Sequence, residues 1–143
     1  MKITLLTIGE PRQSFIKEGV AEYIKRLGGF TDFTHTAIKE KDIVASIQKH
    51  TKRAKLILLD EKGTEYTSAG FAKFLEKNEQ QSTDLVFAIG GADGHTKETR
   101  ALPHDSMSLS QLTLPHEFAL LFFVETLYRA LTIKSGHPYH RGN

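Results

Sequence analysis

Residues 85–94, LVFAIGGADG, are the stretch on which the reading of the fold turns. An unbroken apolar run from Leu85 to Ile89 meets Gly90, Gly91 and Gly94, as in a strand covered on both faces that empties into a turn. Farther on, Ser106 to His116 (SMSLSQLTLPH) reads as a shorter strand ending in a polar loop. Lys55 to Leu59 (KLILL) reads as another central strand, closed by a turn at Asp60–Gly63 (DEKG). In an open parallel α/β sheet, ligands bind beyond the carboxyl ends of the strands, and glycine there lets backbone N–H and C=O groups approach them. These strand ends predict a crevice for a nucleoside-like ligand held largely by backbone. The glycines suit a plain turn as well, since their spacing does not match G-x-G-x-x-G.

Working outward, strand and helix signals alternate. Lys2–Ile8 (KITLLTI) reads as a buried first strand stopped by Gly9 and Pro11. From Ser14, the residues Ile16, Val20, Tyr23, Ile24 and Leu27 recur at helical spacing, and Gly28-Gly29 ends the helix. Phe30–Ile38 suits an edge strand and Asp42–His50 a short helix. Thr67 or Ser68 can cap a helix carrying Phe71, Phe74 and Leu75, which fades at Asn78–Ser82; Thr96–Leu102 is a short helix halted by Pro103. The alternation predicts a single α/β domain over residues 1–143, a parallel sheet with helices on its faces.

Composition narrows the function. The chain is 39% hydrophobic and 25% charged over 143 residues, the make-up of an ordinary folded domain. It has no cysteine, which excludes disulfides, thiolate metal sites and a cysteine nucleophile. No apolar run is long enough for a membrane span, and MKITLLTIGEPRQ lacks the apolar core and cleavage site of a signal peptide, so a cytoplasmic protein is expected. A net charge of +2 permits a nucleic-acid partner without demanding one. No G-x-S-x-G, Walker loop or paired-carboxylate pattern supports hydrolase or phosphoryl-transfer chemistry. His104, His116, His137 and His140 come without an H-E-x-x-H pattern or an acidic ligand set, so no metal site is expected.

The segment His116–Lys134 (HEFALLFFVETLYRALTIK) is apolar around most of its circumference. Such a helix is buried on more than one side, which in a chain of this size predicts a symmetric homodimer. Glu125 and Arg129 stand at i, i+4, the spacing of a routine helical ion pair, and on so apolar a helix both need partners; they border a site or satisfy each other. The tail Ser135–Asn143 (SGHPYHRGN) should add little to a core. Its arginine suits phosphate and its tyrosine and histidines suit stacking on an unpaired base, and the same residues suit an unstructured end.

Taken together, IGGADG, the LSQLTLPH loop, the ETLYRA helix and the terminal HPYHR, with GVAEYIKRL near the N-terminus, closely resemble the ribosomal RNA large subunit methyltransferase H family of SPOUT-class RNA methyltransferases. The likeness covers essentially the whole chain. It implies an α/β domain with a C-terminal trefoil knot, an exception to the rule that chains do not thread loops. It further implies a homodimer, S-adenosylmethionine as methyl donor, and a pseudouridine of 23S ribosomal RNA methylated at N3, on assembled 70S ribosomes. Carried over by position, the resemblance assigns cofactor binding to Leu59, Gly90, Leu109, Ser110, Gln111, Leu112, Thr113 and Leu114, and has the tail of one subunit complete the site of the other. On that reading His140 or Glu125 is base or relay for the N3 proton, Arg129 stabilises developing charge, and Tyr139 and Arg141 hold RNA. The competing expectations are a non-enzymatic ribosome-associated RNA-binding protein and a nucleotide-binding structural dimer. Leu120 departs from the pattern, standing where related sequences usually carry arginine, and the segment after Ile38 is shorter than in many relatives.

Overall fold

The computed structural model describes residues 1–142; Asn143, the end of the polar tail, lies outside the described residues. In chain order the elements are β1 (Lys2–Ile8), α1 (Ser14–Leu27), β2 (Asp32–Ile38), α2 (Ile43–His50, after a 3₁₀ turn at Glu40–Asp42), β3 (Ala54–Glu65), α3 (Ser68–Gln80), β4 (Asp84–Ile89), α4 (Lys97–Arg100), β5 (Asp105–Ser108) and α5 (His116–Ser135). The strands form one sheet in the order β2-β1-β4-β3-β5, and every pairing is parallel.

The uninterrupted apolar runs of β3 and β4 follow from burial on both faces. Ile57, Leu85 and Phe87 point with Ile3 and Leu5 toward α1, α3 and α5, while Leu56, Leu58, Val86 and Ala88 point toward Ile43 and Ile47 of α2. Helices therefore cover both faces, as expected. Thr67 caps α3, its hydroxyl accepting from the Gly70 N–H at 3.0 Å.

Two local expectations need correction. Asp60–Gly63 does not end the strand. Pairing with β5 resumes at Thr64 and Glu65, so that Met107 faces both Leu59 and Thr64 and the residues between arch out of the sheet. Gly63 allows this, because a Cβ there would lie 2.7 Å from the Met107 backbone nitrogen. The tail, in turn, is not detached from the core. Gly136, at φ +78°, ends α5 in the left-handed conformation, the His137 N–H donates back to the Thr132 carbonyl, and Tyr139 packs against the core.

Helix α5 lies against α1 and α3 and buries Leu120, Phe123, Val124, Leu127, Tyr128 and Leu131. Its first half leaves an uncovered apolar face: Phe122 is 47% exposed, Phe15 of α1 is 54% exposed, and Phe15 meets Phe118 edge-on at 6.0 Å. No helix among the described residues is long and apolar enough to cross a membrane.

Candidate functional site

The arch of β3 and the carboxyl ends of β4 and β5 open into one cavity of about 700 Å³, a volume typical of small-molecule sites. Its walls come from the arch after Leu59, the glycine turn after Ile89, the loop from Leu109 and the start of α5 as far as Ala119. Of the residues assigned to the cofactor, Leu59, Gly90, Leu109, Ser110, Leu112, Thr113 and Leu114 line it. Gln111 does not; its side-chain amide donates to Glu65 Oε1 at 2.5 Å.

Glycine is required where the turn folds back on the strand. A Cβ on Gly90 would stand 2.5 Å from the Gly94 carbonyl carbon and 2.6 Å from the His95 nitrogen. The turn is closed by the Gly94 N–H donating to the Gly91 carbonyl at 3.0 Å, with Gly94 at φ +82°. The facing loop is held by its own hydroxyls: Ser108 donates to the Ser110 carbonyl, and the Leu112 N–H donates to the Ser110 hydroxyl, each at 3.0 Å. Thr113 donates to Glu61 Oε2 at 3.1 Å, tying loop to arch.

Three residues of this wall had gone unassigned in the sequence. His95 Nε2 lies 2.9 Å from the Leu59 carbonyl, which can only accept, so Nε2 carries the proton. Burial pushes the His95 imidazole below its ordinary pKa, which favours the neutral ring. Arg100 Nη1 lies 2.6 Å from Asp60 Oδ2. The Lys62 backbone N–H and the Arg100 guanidinium together hold the Asp60 carboxyl below the usual range. With Arg100 and Asp60 paired to each other, Glu61 and Asp93 give the wall an acidic character suited to a ligand that carries positive charge and sugar hydroxyls. Asp60 and His95 each directly follow a segment already read as meeting the crevice, a usable signal; nothing in the spacing links Asp60 to Arg100.

The structure gathers Glu125, Arg129, Tyr139 and His140 into a second cluster. Arg129 Nη2 is 2.7 Å from Glu125 Oε1, its Nη1 is 3.0 Å from His140 Nδ1, and its guanidinium lies 5.0 Å from the Tyr139 ring centre. A guanidinium only donates, so His140 accepts at Nδ1 and carries its proton on Nε2, which is buried without a hydrogen-bond partner. The Tyr139 hydroxyl is 2.9 Å from that of Tyr23 and 3.5 Å from Glu125 Oε1, and its ring meets Tyr128 edge-on at 4.7 Å. Burial, then the Tyr23 hydrogen bond and the Glu125 charge, push the Tyr139 phenol well above its ordinary range. Arg141 is exposed beside the cluster. None of these residues lines the cavity.

Residues 1–140 match a family model described as predicted SPOUT methyltransferase. The chain belongs to that family. Similar proteins named "Ribosomal RNA large subunit methyltransferase H" include one from Deinococcus deserti, 38% identical over 99% of this chain and 100% of its own length. Another, from Deinococcus radiodurans, is 40% identical over the same shares. A third, from Synechococcus sp. (strain RCC307), is 41% identical over 98% of this chain and 95% of its own length. These matches span both the cavity and the α5 cluster. Leu120 is 3% exposed and packs into the core, where it offers nothing to a phosphate. Among the described residues, no group of three or more His, Asp or Glu side chains is placed to hold a metal ion.

Proposed function

We propose that the protein is an S-adenosylmethionine-dependent methyltransferase that modifies N3 of a pseudouridine in 23S ribosomal RNA, on assembled 70S ribosomes in the cytoplasm, as a homodimer with the knotted C-terminal path of its family. The observation that carries this reading is the cavity at the arch of β3 and the ends of β4 and β5 in a chain that matches the SPOUT family over residues 1–140. The printed names of its relatives support ribosomal RNA as the substrate.

The wall fits the cofactor chemically. Gly90 and Gly91 line the cavity with backbone alone, within reach of a nucleoside, and the carboxylates of Glu61 and Asp93 suit hydroxyl and ammonium groups. A neutral His95 adds no charge to oppose a cation. Bound there, S-adenosylmethionine would supply an electrophilic methyl group on a positively charged sulfur that is its own leaving group. The protein's part is then mainly to align donor and acceptor, a contribution on the order of several kcal/mol. It must also remove the N3 proton. Glu125 is the better candidate for that role, since His140 in its present tautomer presents an N–H. Arg129 stabilises charge developing on the neighbouring carbonyl oxygens, with Tyr139 and Arg141 holding RNA.

The test is transfer of labelled methyl to purified 70S ribosomes, separated subunits and naked ribosomal RNA, followed by mass mapping. Label on a large-subunit pseudouridine is expected. Ribosome binding without S-adenosylmethionine binding would transfer support to the RNA-binding-protein reading. Single-turnover rates for Glu125→Gln and His140→Gln test the proton-removal step: near-normal rates in both eliminate both.

A further inference from the structure

The basic charge of this chain is concentrated away from the cavity. Residues 49–55, KHTKRAK, carry four positive charges and no acid; the whole chain is +2, so the remainder is −2. The segment forms the turn between α2 and β3, at the amino end of the sheet. Lys49, Lys52 and Arg53 are exposed and, among the described residues, make no ion pair, while Lys55 Nζ is 2.9 Å from Asp105 Oδ2. The dipole of α2 accounts for Lys49 and His50 in its last turn but not for Lys52 and Arg53 beyond it. Clustered like charges repel one another unless an anion neutralises them.

A second cavity, of about 480 Å³, opens beside the same turn. Ile47, Leu56, Leu102 and Pro103 make apolar walls, with Gln48 and His104 on the polar side. Apolar walls with the imidazole of His104 and hydrogen-bonding groups beside them suit an unpaired base, and a row of cations suits its phosphates. His104 Nδ1 donates to the Leu102 carbonyl at 2.6 Å, which leaves Nε2 to meet a base.

We propose that this turn and cavity form a second, single-stranded RNA subsite, in which Lys49, Lys52 and Arg53 neutralise phosphates and the cavity takes one unstacked base. The inference rests on the reading of RNA as substrate. Ala54 and Leu59 are five residues apart on β3, so the subsite lies roughly 16 Å from the cofactor cavity along the strand. It anchors a segment flanking the target and takes no part in the chemistry.

The experiment measures binding of the full chain to a short fluorescein-labelled unstructured RNA across a salt series. In the triple variant Lys49→Gln, Lys52→Gln, Arg53→Gln, the slope of log K against log salt should flatten by about 2, from about 0.7 per phosphate contact. S-adenosylmethionine affinity should be unchanged. Gln48→Trp, which fills the cavity, should weaken binding of the intact strand and leave binding of an abasic strand unchanged. A wild-type slope in the triple variant overturns the phosphate sites. Equal loss on both strands in Gln48→Trp, or no loss on either, overturns the base pocket. Inorganic polyphosphate competing as tightly as RNA overturns the assignment to RNA. Binding of this probe needs no methyl transfer, so a chain that binds as described yet methylates nothing fails only the proposed function. A chain that methylates ribosomal RNA while the triple variant keeps the wild-type slope fails only this inference.

Discussion

A methyl group placed on Gly90 meets backbone on every near side: the Gly94 carbonyl carbon at 2.5 Å, the His95 nitrogen at 2.6 Å and the Gly94 oxygen at 2.8 Å. No rotamer relieves these contacts. Ordinary contact begins at 3.4 Å, so the turn must retreat by roughly 0.9 Å, and it carries one wall of the strand-end cavity and the His95 bond to the Leu59 carbonyl with it. Overpacking of this kind costs about 1–3 kcal/mol, and in a domain of this length each kcal/mol lowers Tm by roughly 3–5 °C. Gly90→Ala should therefore melt several degrees below wild type and bind S-adenosylmethionine more weakly by calorimetry. Gly91→Ala is the control. Its Cβ would approach nothing nearer than Ile8 Cγ2 at 3.4 Å, and its Tm and affinity should stay near wild type. Wild-type melting and affinity in Gly90→Ala, or equal damage in Gly91→Ala, would refute the argument that the turn is held against the strand by close backbone approach.

Thr67→Ala removes the α3 cap and should lower stability by about 1 kcal/mol in urea unfolding; an unchanged midpoint would show that the cap bond contributes nothing. Burial lowers the pKa values of His35 and His95, so the unfolded chain binds more protons between their folded values and the ordinary value near ~6.5. Their contribution to stability is complete above that pH and is lost as pH falls through the window. Urea midpoints should drop as pH falls from about 7 to about 5, and the drop should shrink in a His35→Gln, His95→Gln double variant; equal drops in both proteins refute the assignment. Because the chain has no cysteine, Phe122→Cys introduces a single thiol. If Phe122 lies beside the axis of a two-fold dimer, mild oxidation should give a covalent dimer on a non-reducing gel, while a purely monomeric product argues against that axis.

What was legible in the sequence was whatever depends on near neighbours. Leu85–Ile89 and Lys55–Leu59 announced central strands because burial on both faces leaves no polar alternation, and Thr67 or Ser68 announced a cap, which Thr67 supplies, because the partner is three residues away. The arch at Asp60–Gly63 was misread because polar residues followed by glycine also make a terminal turn; what sets them apart is pairing with Met107, more than forty residues downstream. Tyr139 looked like part of a loose tail because its partners are remote: the hydroxyl of Tyr23 lies 116 residues away in sequence. The same holds for Arg100, whose bond to Asp60 spans 40 residues. The cavity's location was readable from strand ends, but its electrostatics were not, since burial and ion pairing arise only once distant segments meet.

The two clusters of the candidate site are separated along a single helix. The cavity meets α5 at His116 and Ala119, whereas the polar cluster begins at Glu125 and extends to Arg129. Six residues of helix, from Ala119 to Glu125, span about 9 Å, and reacting groups must come within about 3–3.5 Å of one another. One chain does not close that gap. In the proposed homodimer, antiparallel α5 helices related by a two-fold axis beside Phe122 would set each residue against the one equally far on the other side of Phe122. Ala119 and Glu125 are each three residues from it, so the mouth of one cavity would face the partner's Glu125. The same operation would bury Phe122 and Phe15, the large side chains that a lone chain leaves exposed on this face. In that dimer the uncovered apolar patch and the division of the site would have a common physical origin: α5 would carry half of the chemistry for each of two active sites, and the contact that hides its aromatic face would be the contact that brings those halves together.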